Sequence, residues 1–325
     1  MDSWLARARR QVPLRDALAL SPVGIVAKLA AYALGIHRDR NLPATDPSLR
    51  DPELLSVVFD VLRPIARTYF RWDVRGLDNV PATGPVLLVG NHNGGLETTE
   101  AYLTLLAIWD ALGPERAVHG LAHDVLFDDP TLGKYARRFG SLRACHESAR
   151  NAFAAGHAVL VYPGSDLDSF RPWSARKRVE LGTRDGFVRL ALREQVPVVP
   201  VLAAGPQEQF IVLTRGDAIG RRIGMKRWAR TEVFPIVLSL PWGLTSGFTP
   251  YVPLPAQTSL AFGAPIRFPD LGPEAADDPR AVESCRAEIA AKMQAILDEL
   301  YRGRRPWLGR RDDRAPPRGP QVGTP

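Results

Sequence analysis

One histidine in this sequence has the surroundings that acid–base chemistry needs. His92 lies in the run GNHNGGLETTE, after an apolar stretch and before a segment with helical spacing. A neutral imidazole can take a proton from a hydroxyl group when a carboxylate holds its other ring nitrogen. Glu97 falls in the first turn of the predicted helix, where the helix N-terminus favours negative charge. We expect Glu97 to orient His92, and Glu100, one turn further on, is the reserve candidate.

The surroundings of His92 predict direct transfer and no covalent intermediate. No serine or cysteine stands beside it in the sequence, and the chain has no G-x-S-x-G elbow of the α/β-hydrolase type. The deprotonated hydroxyl would then attack the second substrate itself. A histidine that only caps a loop is the structural alternative.

Three further segments are expected at the same edge of the fold. Gly140–Arg143 brings an arginine to a predicted strand end, and a planar guanidinium suits phosphate recognition. Tyr162–Ser165 runs from a strand into a sharp turn, whose N–H groups suit an oxyanion or a phosphate. Val196–Val201 is an apolar strand, mostly plain core. Arg171 opens a basic run that either is solvated or meets phosphates.

Short apolar runs alternate with amphipathic helices through most of the chain. The runs VLLV, AVLVY and VPVVPV are apolar throughout, as expected when helices cover both faces of a sheet. The pattern predicts an α/β fold with a largely parallel central sheet flanked by helices, preceded by N-terminal amphipathic helices. Ligands of such sheets bind at the carboxyl ends of the strands, where His92 lies.

Composition divides the chain into three predicted parts. They are a helical, membrane-associating region at 1–75, an α/β domain with a C-terminal helix at 76–303, and a disordered tail at 304–325. Residues 22–38 can form an amphipathic helix. The basic amphipathic helix at 53–71 either lies in a bilayer interface or packs its apolar face on the core.

Residues 233–266 contain no charged residue, and six prolines forbid a long helix there. This segment is either a buried wrap around the core or an apolar surface for lipid. A clear amphipathic helix follows at 277–300.

Charge and cysteine usage narrow the class of protein. The 325 residues carry a formal net charge of +7, which points to an acidic partner such as lipid headgroups or a phosphorylated ligand. No nucleic-acid module is present, and Cys145 and Cys285 belong to no metal or redox motif. We therefore expect no nucleic-acid partner, no metal and a reduced, intracellular protein. No apolar stretch reaches the length of about 18 residues that a spanning helix requires.

Four segments, in order, resemble the motifs of the PlsC-like lysophospholipid and glycerolipid acyltransferases. That family has a His-x4-acid motif, a Gly segment with an Arg, a Phe/Tyr-Pro-(Glu/Gly)-Gly motif and a Val-Pro-(Ile/Val)-(Ile/Val)-Pro strand. Here they read His92 to Glu97, Gly140 to Arg143, Tyr162 to Ser165 and Val196 to Pro200. The resemblance covers about residues 80–270. The NHNGG, YPG and PWGL forms look more like the branch near monoacylglycerol and diacylglycerol acyltransferases, which can use neutral acceptors.

The resemblance implies an O-acyltransferase that moves a fatty acyl group from acyl-CoA or acyl carrier protein to a hydroxyl of a glycerolipid or lysophospholipid. His92 would be the general base, with no metal and no tightly bound cofactor. The substrate-binding residues that we predict are Asn93, Gly94, Gly95, Arg143, Tyr162, Pro163, Gly164, Ser165 and Arg171.

Two departures from the family pattern matter. Glu97 replaces the usual Asp, and the third motif lacks its usual Arg, whose charge Arg171 would supply. We expect a peripheral or monotopic protein on the cytoplasmic face of the cell membrane. The alternatives are a lipid hydrolase or thioesterase on the same scaffold, and a catalytically inactive lipid-binding relative.

Overall fold

A computed structural model of the chain describes residues 2–19, 44–229 and 231–310. The predicted helix at 22–38 and the chain after residue 310 lie outside these residues. The described α-helices are α1 Asp2–Gln11, α2 Leu14–Ala19, α3 Pro52–Thr68, α4 Thr99–Leu112, α5 Val125–Asp128, α6 Pro130–Arg138, α7 His146–Ala154, α8 Ser165–Ser169, α9 Gly186–Glu194, α10 Pro206–Gln209, α11 Asp217–Arg222, α12 Met225–Ala229 and α13 Pro279–Tyr301. Short 3-10 helices lie at Pro47–Leu49, Leu77–Asn79, Gly95–Glu97, Trp173–Ala175 and Pro273–Asp277.

A seven-stranded sheet forms the centre of the molecule, with the strand order β1-β10-β6-β2-β5-β3-β4. The strands of the chain are β1 Asp73–Arg75, β2 Val86–Gly90, β3 Val118–Ala122, β4 Leu142–Arg143, β5 Ala158–Val161, β6 Val198–Ala204, β7 Ile211–Thr214, β8 Ile236–Ser239, β9 Gly243–Ser246, β10 Ser259–Phe262, β11 Arg304–Arg305 and β12 Gly309–Arg310. The five strands from β6 to β4 run parallel to one another, and β10 runs antiparallel to β6. The predicted α/β fold with a largely parallel sheet is confirmed.

Helices cover both faces of the central strands, which explains why those strands are apolar at every position. On one face, α7, α9 and α13 pack around a core that includes Leu87, Leu192 and Ile289. On the other face, α3 and α4 pack through Phe59 and Leu103 against the sheet. The apolar face of α3 is therefore buried on the domain, so core packing describes residues 53–68 better than insertion into a bilayer.

A separate three-stranded antiparallel sheet, β7-β8-β9, stands beside the main sheet. Val212 and Val237 are buried in its own core, together with Phe210 and Tyr251. The uncharged segment 233–266 supplies part of this sheet, whose inner side is buried and whose outer side carries exposed apolar residues such as Leu238 and Leu244. No helix of the described residues is long and apolar enough to cross a membrane.

The chain from Arg304 to Arg310 folds into a short hairpin, so the prediction of disorder from residue 304 is wrong for this part. The Arg304 side chain forms a salt bridge at 2.8 Å with Glu208, and both side chains are only 1% exposed. The Trp307 backbone N–H donates to the same carboxylate at 2.8 Å. Composition gave no sign of this order, because Glu208 lies almost a hundred residues earlier in the chain.

Candidate active site

The strand β2 delivers His92 to the carboxyl edge of the sheet through a buried asparagine. The Asn91 side chain accepts a hydrogen bond from the Ala203 N–H at 2.8 Å and donates to the Ala203 carbonyl at 3.0 Å. Gly90 precedes it because a Cβ there would stand 2.3 Å from the ring of Tyr162. The end of β2 is therefore fixed to β6 on one side and to Tyr162 on the other.

The imidazole of His92 is held by a buried carboxylate and an aromatic ring. Its Nδ1 lies 2.5 Å from Oε1 of Glu100, which also accepts the Asn93 backbone N–H at 3.1 Å. The Tyr162 ring stacks on it, with centroids 4.9 Å apart. Because an ionised Glu100 accepts from Nδ1, the lone pair remains on Nε2. The His92 side chain is 17% exposed, so part of it reaches the protein surface.

The partner of His92 is therefore Glu100, the reserve candidate, and the expectation of Glu97 is wrong. Glu97 is exposed and belongs to the 3-10 helix Gly95–Glu97. Thr98 then adopts a left-handed conformation, with φ of 44°, and α4 begins only at Thr99. The acid in the first turn of the helix is thus Glu100, the second residue of α4.

Glu100 also sets the protonation of the base. Burial lowers the pKa of His92, but the negative charge and hydrogen bond of Glu100, together with the charge of Asp168, raise it by more, so the net shift is upward. A proton taken up by His92 is therefore held well. The imidazole remains a functional base only above its shifted pKa.

A second buried acid, Asp168, holds the main chain of His92. Its Oδ2 accepts the His92 backbone N–H at 2.5 Å, and its Oδ1 pairs with the guanidinium of Arg171. Arg171 also donates to Oδ1 of Asn93 at 2.7 Å. Burial raises the pKa of Asp168 to about 6, although Arg171 and His92 oppose that shift.

Arg171 does not face a substrate in this arrangement. Its side chain is 3% exposed and joins Asp168 to Asn93 beneath the His92 loop. The prediction that it supplies a phosphate-binding charge is therefore wrong, because its guanidinium is occupied inside the protein.

The glycines after Asn93 are needed for close packing of the loop. Gly94 and Gly95 have φ of 74° and 70°, and a Cβ on Gly95 would stand 2.6 Å from the ring of Phe210. The Gly94 N–H donates to Gln207 at 3.2 Å, and its carbonyl accepts from the Tyr251 hydroxyl. The Gly94 backbone therefore fastens the loop to Gln207 and Tyr251, at a position where we had expected substrate contacts.

The turn Tyr162–Ser165 supports the site from below. The Ser165 N–H donates to the Tyr162 carbonyl at 3.1 Å. Gly164, which follows the buried Pro163, is packed so closely that a Cβ would stand 2.3 Å from Cβ of Asp168. The turn therefore seats Asp168 under His92, and Tyr162 is the member of this segment that contacts the imidazole.

Arg143 lies at the same edge of the sheet but away from His92. Its strand β4 is three positions from β2, which corresponds to roughly 14 Å across the sheet. Its Nε lies 3.4 Å from Oδ1 of Asp124. The structure does not bring Arg143 to the base. Among the described residues, no group of three His, Cys, Asp or Glu could hold a metal ion.

Sequence reasoning missed four residues that build this site, which are Asn91, Asp168, Gln207 and Tyr251. Asp168 had a usable signal, since it stands three residues before Arg171 in a segment that follows a strand. Gln207 and Tyr251 had none, because each contacts the loop from more than a hundred residues away.

Comparison with known proteins agrees with this architecture. A family model described as "Acyltransferase" matches residues 71–204. An uncharacterised protein of Mycobacterium tuberculosis is 32% identical over 283 residues, which cover 86% of this chain and 76% of that protein. A Bos taurus protein named "DGAT1/2-independent enzyme synthesizing storage lipids" is 22% identical over 145 residues, covering 45% of this chain and 42% of that protein.

Among solved structures, the 1-acyl-sn-glycerophosphate acyltransferase PlsC of Thermotoga maritima matches with a TM-score of 0.45 and 16% identity, over 76% of this chain and 81% of that one. The match of the family model spans His92, Tyr162 and the Val196–Pro200 strand. Together with the extended similarity to the mycobacterial protein, it establishes the family: this chain belongs to the acyltransferase family that the model describes.

Proposed function

We propose that this protein transfers a fatty acyl group from an acyl thioester, carried by CoA or acyl carrier protein, to a hydroxyl group of a glycerolipid or lysophospholipid. The observation that carries this proposal is the pair of His92 and the buried Glu100 at the carboxyl end of the central parallel strand, with the His92 side chain partly exposed. No serine or cysteine of the described residues is hydrogen-bonded to that imidazole.

The reaction then needs a single base. Nε2 of His92 takes the proton of the acceptor hydroxyl while the oxygen bonds to the thioester carbonyl carbon. The tetrahedral intermediate collapses, the carbon–sulfur bond breaks, and the leaving thiolate takes the proton back from the imidazolium. Glu100 stabilises the imidazolium formed between these steps, which is the role a buried carboxylate has beside a catalytic histidine.

Within the lipid acceptors, we propose that neutral alcohols are preferred to phosphorylated ones. Arg171 is occupied by Asp168 and Asn93, and Arg143 lies beside Asp124, three strands from β2. The Arg171 guanidinium is occupied beneath the His92 loop, and the Arg143 guanidinium lies away from His92, so neither supports phosphate binding beside the imidazole. Acyl acceptors of this kind reside in membranes, so we also propose that the protein acts as a peripheral or monotopic enzyme at the cytoplasmic membrane face.

The test is His92→Ala, assayed with acyl-CoA and a panel of monoacylglycerol, diacylglycerol and lysophosphatidate. We expect the rate of ester formation to fall about a thousandfold, as for loss of a general base. Lipid mass spectrometry identifies the product. Transfer at the wild-type rate by a folded variant would contradict the proposal. Release of free fatty acid without an esterified acceptor would indicate a hydrolase, and vesicle binding without turnover on any acceptor would indicate a non-catalytic relative.

A further inference from the structure

The outer face of the small sheet is apolar and exposed. Along β8 the side chains alternate, with Val237 and Ser239 buried and Leu238 and Leu240 exposed. The members of this apolar face are Leu213, Leu238, Leu240, Trp242, Leu244 and Val252, whose side chains are between 46% and 68% exposed. A water-facing sheet would carry polar residues on this side, so the face is built for contact with something apolar.

The register of the strands makes these side chains one continuous surface. Leu238 stands opposite Ile211 on β7 and opposite Leu244 on β9. Leu240 pairs with Val252 through an isolated bridge, and the turn that follows carries Trp242. The Trp242 ring is oriented by a hydrogen bond of 2.6 Å from Nε1 to the Pro250 carbonyl. Cross-strand neighbours of this kind lie side by side and not scattered over the protein.

The surroundings of the apolar face are basic. Between residues 211 and 252 the chain has six basic and two acidic residues. Both acids have basic partners, since Asp217 pairs with Arg215 and Glu232 with Lys226. The helices α11 and α12 join the end of β7 to β8, and they carry the exposed Arg221, Arg222 and Arg227 beside the exposed Ile219 and Ile223.

An apolar surface next to excess basic charge matches one partner best, a bilayer that contains anionic lipid. Leu and Trp side chains enter the boundary between headgroups and acyl chains, and arginines meet the negative headgroups. We propose that the apolar face of β7-β8-β9 inserts into an anionic membrane surface and, with the basic residues of α11 and α12, docks the protein there.

The inner side of the same sheet holds the His92 loop. Tyr251 donates a hydrogen bond to the Gly94 carbonyl and stacks on Phe210 at 4.2 Å, and Phe210 packs against Gly95. One layer of sheet, roughly 10 Å thick, separates the docking surface from this loop. Docking would therefore bring the His92 site close to the lipids. This last step rests on the function proposed above, whereas the docking itself does not require turnover.

The experiment measures partition of the full chain onto vesicles by sedimentation. The first set of vesicles is phosphatidylcholine alone, and the second contains phosphatidylglycerol as well. We expect Trp242→Ser and Leu244→Ser each to lower partition onto both sets by about tenfold. The matched control is Leu308→Ser, since Leu308 is 71% exposed against 68% for Leu244 but lies on the C-terminal hairpin. This control should bind as the wild type does.

Charge is tested separately with Arg221→Gln and Arg222→Gln. Each should weaken partition onto the anionic vesicles about fivefold and leave partition onto phosphatidylcholine unchanged. Circular dichroism and activity on a detergent-dispersed acceptor establish that the variants remain folded. The Trp242→Ser and Leu244→Ser variants should keep their activity on the detergent-dispersed acceptor. A loss of vesicle binding can therefore be distinguished from a loss of catalysis.

Three results would overturn the docking surface. The first is a double variant, carrying both Trp242→Ser and Leu244→Ser, that binds vesicles as well as the wild type does. This result would show that the apolar face does not contact the lipid. An equal loss in Leu308→Ser would show a general effect of surface hydrophobicity. A dimer that the double variant converts to a monomer, with partition unchanged, would identify the face as an interface between two copies of the chain.

Discussion

At the scale of single residues, the site depends on which of two glutamates, Glu97 or Glu100, lies in the first turn of the helix after the His92 loop. The sequence predicted an acid beside His92 in the first turn of the following helix, and such an acid, Glu100, contacts the imidazole. It misjudged the start of that helix, because a 3-10 turn and the left-handed Thr98 intervene. Local conformations such as these depend on packing against Phe210 and Pro206, which the sequence around His92 does not contain.

The two glutamates can be separated by mutation. We expect Glu100→Gln to lower kcat about a hundredfold, because a neutral amide neither stabilises the imidazolium nor fixes the Nδ1–H tautomer. The pKa of His92 should also fall, since burial, which lowers it, would no longer be outweighed by Glu100. The acid limb of the pH profile of kcat/KM should therefore move to lower pH.

Glu97→Gln is the matched control for that experiment. Glu97 is exposed, so we expect this variant to stay within about twofold of wild-type kcat, with an unchanged acid limb. A larger loss in Glu97→Gln than in Glu100→Gln would mean that the active geometry differs from the one described, with Glu97 turned towards His92.

At the scale of elements, the short helix α8 acts as a brace under the His92 loop. Its Asp168 binds the main chain of His92, and Arg171, just after the helix, joins that carboxylate to Asn93. The brace connects two loops that follow neighbouring parallel strands, β2 and β5. The brace therefore holds the main chain of His92 in place, independently of the contact between the imidazole and Glu100.

Removing the cation from this brace should destabilise the fold. We expect Arg171→Met to lower the free energy of unfolding by about 3–5 kcal/mol above neutral pH, because the buried Asp168 must then either stay charged without its partner or take up a proton. Urea denaturation measures this. Arg176→Met is the control, since Arg176 is less buried and lies over Trp173.

The same loss should depend on pH in a defined direction. The pKa of Asp168 is about 6 in the folded protein, above its ordinary value, so the folded state holds this proton more tightly than the unfolded state. Its contribution to stability is then fully present below the unfolded pKa and is lost as pH rises through 6. Arg171→Met raises that pKa further, so its deficit relative to wild type should narrow as the pH falls towards 6 and should level off below it. A deficit that is constant with pH would exclude Asp168 as the cause.

The elements that could be predicted from the sequence are those that are buried along most of their length. The strands β2, β5 and β6 are buried at nearly every position, and their unbroken apolar runs identified them. The helix at 277–300 was also predicted, and α13 begins after Asp278, whose carboxylate caps the Arg280 N–H at 2.9 Å. The small sheet was not predicted, because prolines and a long uncharged composition obscured the two-residue alternation along β8.

At the scale of the whole molecule, the C-terminal hairpin closes the fold. Arg304 reaches the buried Glu208, and the indole N–H of Trp307 donates to the Glu208 carbonyl at 2.7 Å. Glu208 follows Gln207 in the sequence, and Gln207 accepts a hydrogen bond from Gly94 of the His92 loop. A segment expected to be disordered thus supports the residues behind the site.

Arg304→Met should therefore be strongly destabilising, by about 3–5 kcal/mol, because it leaves the Glu208 carboxylate buried without a cation. Thermal unfolding followed by circular dichroism measures this effect. The neighbouring Arg305→Met should unfold as wild type, since Arg305 is exposed. Equal stability of the two variants would mean that the hairpin contributes nothing to the fold.

The loop around His92 is fastened by partners that are translated long after it. Its main chain binds Asp168, 76 residues later, Asn91 binds Ala203 after 112, and Gly94 binds Tyr251 after 157. When only His92 and Glu100 have emerged from the ribosome, the nascent chain contains both residues of the pair but none of the partners that hold the loop. Enzymatic competence should therefore emerge late in synthesis, once Tyr251 has left the exit tunnel, and shorter amino-terminal fragments should be inert towards lipid even though they carry the base.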